Sequence, residues 1–204
     1  GLNQSIALAK AGIPVFHAGM IGEEGDILLE TCRENGVNTD FIRKIQGPGG
    51  HTVIQVDKNG QNCILLFGGS NRSITREFVD EVLSAFEKGD ILLLQNEINE
   101  LDYIIDQAYE KGMMIILNPS PYDKALETCD LKKISLFLVN EIEGFQITGE
   151  KEPEKILAKI RELINGIPVQ EGLRLAAKAS AIAVSRPGAT ASIPLREEVL
   201  NSSL

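Results

Sequence analysis

Ile91-Leu92-Leu93-Leu94-Gln95-Asn96-Glu97, Met113-Met114-Ile115-Ile116-Leu117-Asn118 and Ile134-Ser135-Leu136-Phe137-Leu138-Val139-Asn140 decide the reading of this chain. Each is a short apolar run that ends on polar residues. Unbroken runs of Leu, Ile and Val of this length predict strands buried on both faces, the pattern of a parallel sheet. The residues between them follow another period. Leu101, Ile104, Ile105 and Ala108 recur on one helical face, with Gly112 just past the end as a C-cap. A second, less regular helix is expected over 122–132. The order is βαβαβ, and in open sheets of this kind ligands bind beyond the carboxyl ends of the strands. Glu97, Asn118, Asn140 and Glu143 all fall at that edge.

Upstream, Gly1 to Ala11 reads as a helix stopped by Gly12 and Pro14, and 14–18 as a short strand ending in Gly19 and Gly22. Asp26 to Glu34 is a helix closed by Asn35-Gly36, after which 37–45 leads the chain outward. Thr52 to Val56 and Cys63 to Phe67 flank Asn59-Gly60, a strong hairpin signal. A hairpin set before a βα series does not easily join a parallel sheet, so it is expected to project as a lid or an interface arm. Gly47-Pro48-Gly49-Gly50 and Gly68-Gly69 would serve as its hinges. The first of these is not a P-loop, because a strand follows it and no Lys-Ser/Thr pair does. A helix capped at 73–77 runs to Lys88-Gly89 with Phe78, Val82, Leu83 and Phe86 inward. Downstream come an amphipathic helix over 154–164, an Ala-rich helix over 169–185 and a short helix from Arg196. The whole predicts an α/β protein, a three-layer αβα arrangement around a Rossmann-like sheet with a small β lid. Residues 1–46 and 69–204 would form the core, and 47–68 the lid.

The totals limit the partners. A formal net charge of -9 argues against nucleic acid or an anionic membrane as the main partner. Cys32, Cys63 and Cys129 are odd in number, widely spaced and set among apolar residues, which predicts reduced core thiols in a cytoplasmic protein. His17 and His51 offer no metal-ligand spacing with them. No apolar run approaches the roughly 20 residues of a membrane span. No Gly-x-Gly-x-x-Gly follows a strand, which sets aside a nicotinamide-dependent oxidoreductase.

Gly1-x-Asn3-x-Ser5, six residues, Gly12, nine residues and Gly22 form a spacing with chemical sense: glycine lets backbone approach a sugar, and an Asn at a helix start both donates and accepts. That spacing resembles the first signature of the ribokinase-like (PfkB) carbohydrate kinases. The resemblance continues through Asn35-Gly36-Val37-Asn38-Thr39, Leu94-Gln95-Asn96-Glu97, Leu117-Asn118-Pro119-Ser120-Pro121, Asn140-Glu141-Ile142-Glu143 and Ser185-Arg186-Pro187-Gly188-Ala189, in the family's order. It implies an ATP-dependent kinase acting on the primary hydroxyl of a small sugar, D-ribose giving ribose 5-phosphate. It implies sugar contacts from Gly1, Leu2, Asn3 and Glu97, and organisation of ATP phosphates and Mg2+ by Asn140 and Glu143. Ala183, Arg186, Gly188 and Ser192 match positions that bind an activating monovalent cation, K+, mostly through backbone oxygens. The hairpin's own residues, more apolar than a solvated edge strand should be, predict a homodimer joined through the lid.

Two departures from the family bear on the chemistry, and a smaller one is Ala177, where the family usually has Asn or His near the nucleotide. The strand and the Gly-Gly-Lys that precede the first signature are absent, and the sequence starts at Gly1 rather than Met, so a longer natural protein is expected. The Thr-Gly-Ala-Gly-Asp-like stretch, which carries the anion hole and the catalytic base, would fall between 164 and 165 and is not present. Alternatives therefore stay open: a noncatalytic sugar-binding homologue, or a kinase of the same family for fructose, a nucleoside or a sugar acid.

Overall fold

The computed structural model describes residues 1–56, 58, 62–163, 177 and 179–202. The chain divides into two compact units, Gly1–Gly49 with Pro168–Leu204, and Gly50–Ile167.

The first unit starts with α1, Leu2–Lys10. Its apolar face carries Leu2, Ile6 and Ala9, and Ile6 is fully buried with Cys32 and Val37; Val15, Ile42 and Ile193 pack around them. Gly12, at φ +81°, ends the helix in a conformation that only glycine adopts without strain. β1 (Phe16–Ile21), α2 (Asp26–Glu34) and β2 (Asn38–Lys44) follow. Residues 38–44, expected to lead outward, instead pair in parallel with β1, Gly19 opposite Ile42. The reason is burial: Val37 and Ile42 belong to the Ile6 cluster, and a strand leading away would expose both. The glycine-rich turn 47–49 is not a loose hinge. Its Gly47 carbonyl accepts from Glu23 N, and Gly49 N donates to Glu24 Oε1 at 2.7 Å. A Cβ on Gly22 would sit 2.7 Å from Gly47 O, so the two backbones touch where no side chain fits. Later in this unit residues 179–184 are helical, and a 3₁₀ turn, Thr190–Ser192, precedes a short helix, Arg196–Asn201. The start of the expected 169–185 helix and the junction at 164/165 lie outside the described residues.

The second unit opens with β3 (His51–Val56) and β4 (Asn62–Phe67), an antiparallel hairpin with Val53 opposite Leu65 and Thr52 opposite Leu66. The Asn59-Gly60 turn itself lies outside the described residues. Cys63 is exposed on the hairpin rather than in a core, because it stands on a ribbon that leaves both faces open. None of the three cysteines forms a disulfide. α3 (Arg76–Ser84) is capped by Thr75, whose hydroxyl accepts from Phe78 N at 3.2 Å. It buries Phe78, Val79 and Leu83, while Val82 and Phe86 are half-buried.

β5 (Ile91–Gln95), α4 (Leu101–Glu110) and β6 (Met114–Asn118) form the expected βαβ, and β7 (Leu136–Phe137) adds a third parallel strand in the order β5-β6-β7. Burial alternates along β6, where Ile115 and Leu117 are fully buried between half-buried neighbours, while β5 starts at Ile91, 60% exposed. β7 is shorter than its apolar run. Ser135 interrupts the regular ladder, its hydroxyl accepting from Ile115 N at 3.2 Å, though Leu138 N still reaches Leu117 O at 2.9 Å. The helix expected over 122–132 is absent. Two 3₁₀ turns, Lys124–Thr128 and Leu131–Lys133, stand there instead. Asp130 Oδ1 accepts from Lys132 N at 3.1 Å, the local side-chain bond by which Asp competes with a helix interior. α5 (Glu141–Thr148) and α6 (Pro153–Leu163) close the unit, packed so tightly that a Cβ on Gly144 would lie 2.6 Å from Ile156 Cγ2. Among the described residues no helix is long and apolar enough to cross a membrane.

Candidate functional site

The carboxyl ends of β5, β6 and β7 carry the polar residues that the sequence places there. Gln95 and Asn118 are register partners, and Asn118 Nδ2 donates to Leu138 O at 3.0 Å, tying the ends of β6 and β7 together. Asn118 Oδ1 accepts from Ser120 N at 3.1 Å and so also shapes its own turn. Glu97 is half-buried in the turn after β5, ahead of α4 rather than on its first turn. That turn is braced from below. Asn99 pairs with Ile74 as a backbone would, accepting from Ile74 N at 3.0 Å and donating to Ile74 O at 2.7 Å. Arg72 donates to Ile98 O, and Arg76 pairs with Glu100 at 2.9 Å.

Asn96 is the residue that the motifs missed. It is fully buried, and its amide donates to Pro121 O at 2.7 Å and Asp123 Oδ1 at 3.0 Å. Both partners are acceptors, which fixes the amide orientation and leaves Oδ1 as a buried acceptor without a partner. The signal was in the alternation: Asn96 stands two residues after the buried Leu94 and keeps its face. Through Asn96, the turn carrying Glu97 and the loop after β6 form one edge.

Asn140 and Glu143 come together as a capping box at the start of α5. Glu143 N donates to Asn140 Oδ1 at 2.9 Å, and Asn140 N to Glu143 Oε2 at 3.1 Å. Glu143 is buried, Asn140 exposed. The box uses only Oε2, so Oε1 remains for a water or a ligand. Among the described residues no group of three His, Cys, Asp or Glu gathers as a metal site. A metal here would depend on its own waters and on phosphate oxygens, the usual habit of Mg2+.

In the first unit, Gly1 caps α1, its carbonyl accepting from Gln4 N and Ser5 N at 3.1 and 3.2 Å. Leu2 is half-buried and Asn3 exposed. Behind them Ser5 Oγ and His17 Nδ1 are 2.8 Å apart. Burial lowers the His17 pKa to about 4, so the ring is neutral at pH 7. Ala183, Arg186, Gly188 and Ser192 belong to the segment that ends with the Thr190–Ser192 turn. Ala183 O accepts from Arg186 N, Gly188 has φ +92°, and the buried Ser192 hydroxyl donates to Ala189 O at 2.8 Å. Arg186 is paired with Glu198 at 2.7 Å, which raises the guanidinium pKa and holds the carboxyl low.

The chain is 34% identical to the ribokinase of Bacillus subtilis over 125 residues, 59% of this chain and 43% of that protein. It is 31% identical to the ribokinase of Arabidopsis thaliana over 157 residues, 73% of this chain and 41% of that protein. It therefore spans less than half the length of these curated relatives. Among solved structures, ribokinase from Giardia lamblia superposes with a TM-score of 0.83 at 22% identity, covering 98% of this chain and 88% of that one. Arabidopsis ribokinase, solved with ribose and ATP, superposes at 0.79 and 25% identity, covering 98% and 85%. The mixed α/β fold is thus ribokinase-like. The pfkB family carbohydrate kinase profile matches residues 1–167, and with the edge just described this makes the chain a member of the pfkB carbohydrate kinase family.

Proposed function

We propose that the protein containing this chain is an ATP-dependent sugar kinase whose substrate is D-ribose, phosphorylated at the primary hydroxyl. The observation that carries the reading is the braced edge at β5 and β6. There a half-buried Glu97 is held on a turn fixed by Asn96, Asn99 and Arg72. Fixed carboxylates of this kind orient polyols, since each oxygen accepts from a hydroxyl and loses little freedom in doing so. The Arabidopsis relative solved with ribose and ATP supports the choice of sugar.

Glu97 accepts hydrogen bonds from sugar hydroxyls, while Gly1 and Leu2 backbone and the Asn3 amide supply further sugar contacts. Glu143, through the Oε1 that the capping box leaves over, orders water around the phosphates, and Asn140 keeps that carboxylate in place. Bound Mg2+ would offset phosphate charge during transfer. The carbonyl-rich segment holding Ala183, Arg186, Gly188 and Ser192 is assigned to K+ as an activator. The 47–68 hairpin is assigned as a lid over the sugar and as the contact of a homodimer. Its support is apolar side chains on both faces of an exposed ribbon, an arrangement that pairing with a second copy would cover.

The test is an ADP-release assay over a sugar panel on the intact protein, with Glu97→Gln beside the wild type. A charged hydrogen bond contributes about 1.5–3 kcal/mol, so Glu97→Gln should raise the ribose KM at least about tenfold and leave the ATP KM within about threefold. An unchanged ribose KM would remove Glu97 from the sugar site. Because the sequence holds no Gly-Ala-Gly-Asp-like stretch, a second reading is a noncatalytic sugar-binding protein. Ribose heat in calorimetry without any ADP release would select it.

A further inference from the structure

Lys10 ends α1, and its ammonium reaches far along the chain. It donates to Thr190 O at 2.9 Å and to Ile193 O at 3.1 Å. These carbonyls belong to the Thr190–Ser192 turn and its C-cap, Ile193. The end of a helical turn leaves carbonyls without backbone donors and carries partial negative charge, which a cation relieves. One ammonium here serves two such acceptors.

The loop is fastened at several other points. Ser192 Oγ donates to Ala189 O, and the Ile193 side chain packs on the Ile6, Cys32 and Val37 cluster beside Leu2 and Ala9. Glu198, paired with Arg186, accepts from Leu195 N at 2.7 Å. Lys10 is the only one of these fastenings that places a positive charge between backbone oxygens. Carbonyls converging on one point are the chemistry that replaces the water shell of a bare monovalent cation.

We propose that Lys10 is a tethered monovalent cation: its ammonium fills the position between the Thr190 and Ile193 carbonyls and holds the 189–193 loop in place when K+ is absent. Lys10 is a positioning residue in this account. It acts through the loop that carries Ser192, and touches neither sugar nor phosphate. Only the K+ arm of the test rests on the reading of that segment as a K+ site.

The experiment is hydrogen–deuterium exchange of the 189–193 amides in the full chain, in choline chloride and in KCl of equal ionic strength. Wild type, Lys10→Met and Lys10→Arg are compared. In choline, Lys10→Met should exchange about tenfold faster than wild type across this loop, with the β5 and β6 amides unchanged. Lys10→Arg, which keeps a charged donor, should stay within about threefold of wild type. Wild type should exchange equally in the two salts. Lys10→Met exchanging like wild type in choline overturns the proposal, as does a wild type that needs KCl for its protection. If KCl leaves the faster exchange of Lys10→Met unchanged, the tether stands and the K+ assignment of the segment falls. Should Lys10→Met fail to fold by circular dichroism, Lys10→Gln, uncharged but still a donor, is judged by the same criterion.

Discussion

The β5–β6 ladder and the β3–β4 hairpin are built from the same residue types, yet Ile115 and Leu117 on β6 are fully buried while Val53, Ile54, Leu65 and Leu66 on the hairpin are 52%, 59%, 58% and 54% exposed. The difference lies in the connection. β5 reaches β6 through α4, which lays Leu101, Ile104, Ile105 and Ala108 into the core, so the crossover itself supplies a cover. Only residues 57–61 separate β3 from β4, too short a stretch to supply one. Apolar composition therefore sets the demand for burial, and topology decides whether the chain meets it alone.

The contrast breaks most visibly in the ladder. Leu117→Ala should cost about 2–5 kcal/mol of unfolding free energy, read from urea melts, because a fully enclosed site cannot collapse around the cavity. Asn96→Ala comes next. It removes the bonds of a buried amide to Pro121 O and Asp123, and should cost about 1–3 kcal/mol while raising the ribose KM through Glu97. Stability lost with KM unchanged would separate the edge from the site.

His17 carries the contrast into the other unit. The unfolded chain takes up this proton near the ordinary value of 6.5 and the folded chain near 4, so the unfolded state binds more protons between them. Stability should be complete above that window and fall as pH drops through it, by no more than about 3 kcal/mol. Melting curves against pH should show that slope, and His17→Gln should flatten it. Glu143→Ala should cost about 1 kcal/mol as a lost cap, lower kcat and raise the Mg2+ requirement. An unchanged kcat would leave only the cap. The smallest change in stability belongs to the hairpin. Ile54→Lys with Leu66→Lys should move the melting free energy by no more than about 0.5 kcal/mol. Sedimentation should nevertheless shift from dimer to monomer, with a higher ribose KM. Dimers that tolerate both charges would place the subunit contact elsewhere.

Much of the edge could be read from residues alone. The helical period of Leu101 to Ala108 and the polar stops at Gln95, Asn118 and Asn140 placed three strands and their polar carboxyl ends. Legibility failed where a side chain took over a backbone task. Asp130 captures Lys132 N and ends a helix that its neighbours favour, and Ser135 enters the ladder at Ile115. Asn99 imitates a strand partner for Ile74. Asn96 was hidden for a related reason. A polar letter at a strand end reads as a boundary, and only its phase with Leu94 reveals it as interior. The capping box shows the limit from the other direction. Asn140-x-x-Glu143 is legible as a motif, but one carboxylate serves the helix through Oε2 and has Oε1 left over, and spacing alone does not divide those duties.

The contact between Gly22 and the 47–49 turn has a consequence for heredity. Any single-base change in a glycine codon that alters the residue yields Ala, Val, Ser, Cys, Arg, Trp, Asp or Glu, and every one of these adds a Cβ. At Gly22 that atom meets the Pro48 carbonyl carbon at 2.6 Å and Gly47 O at 2.7 Å, both of them backbone that cannot swing aside. No one-step substitution is therefore quiet at this position. Another acceptor can take the place of the exposed Glu24 that receives Gly49 N, so a lineage can rewrite the fastening of this turn while its point of closest approach stays fixed.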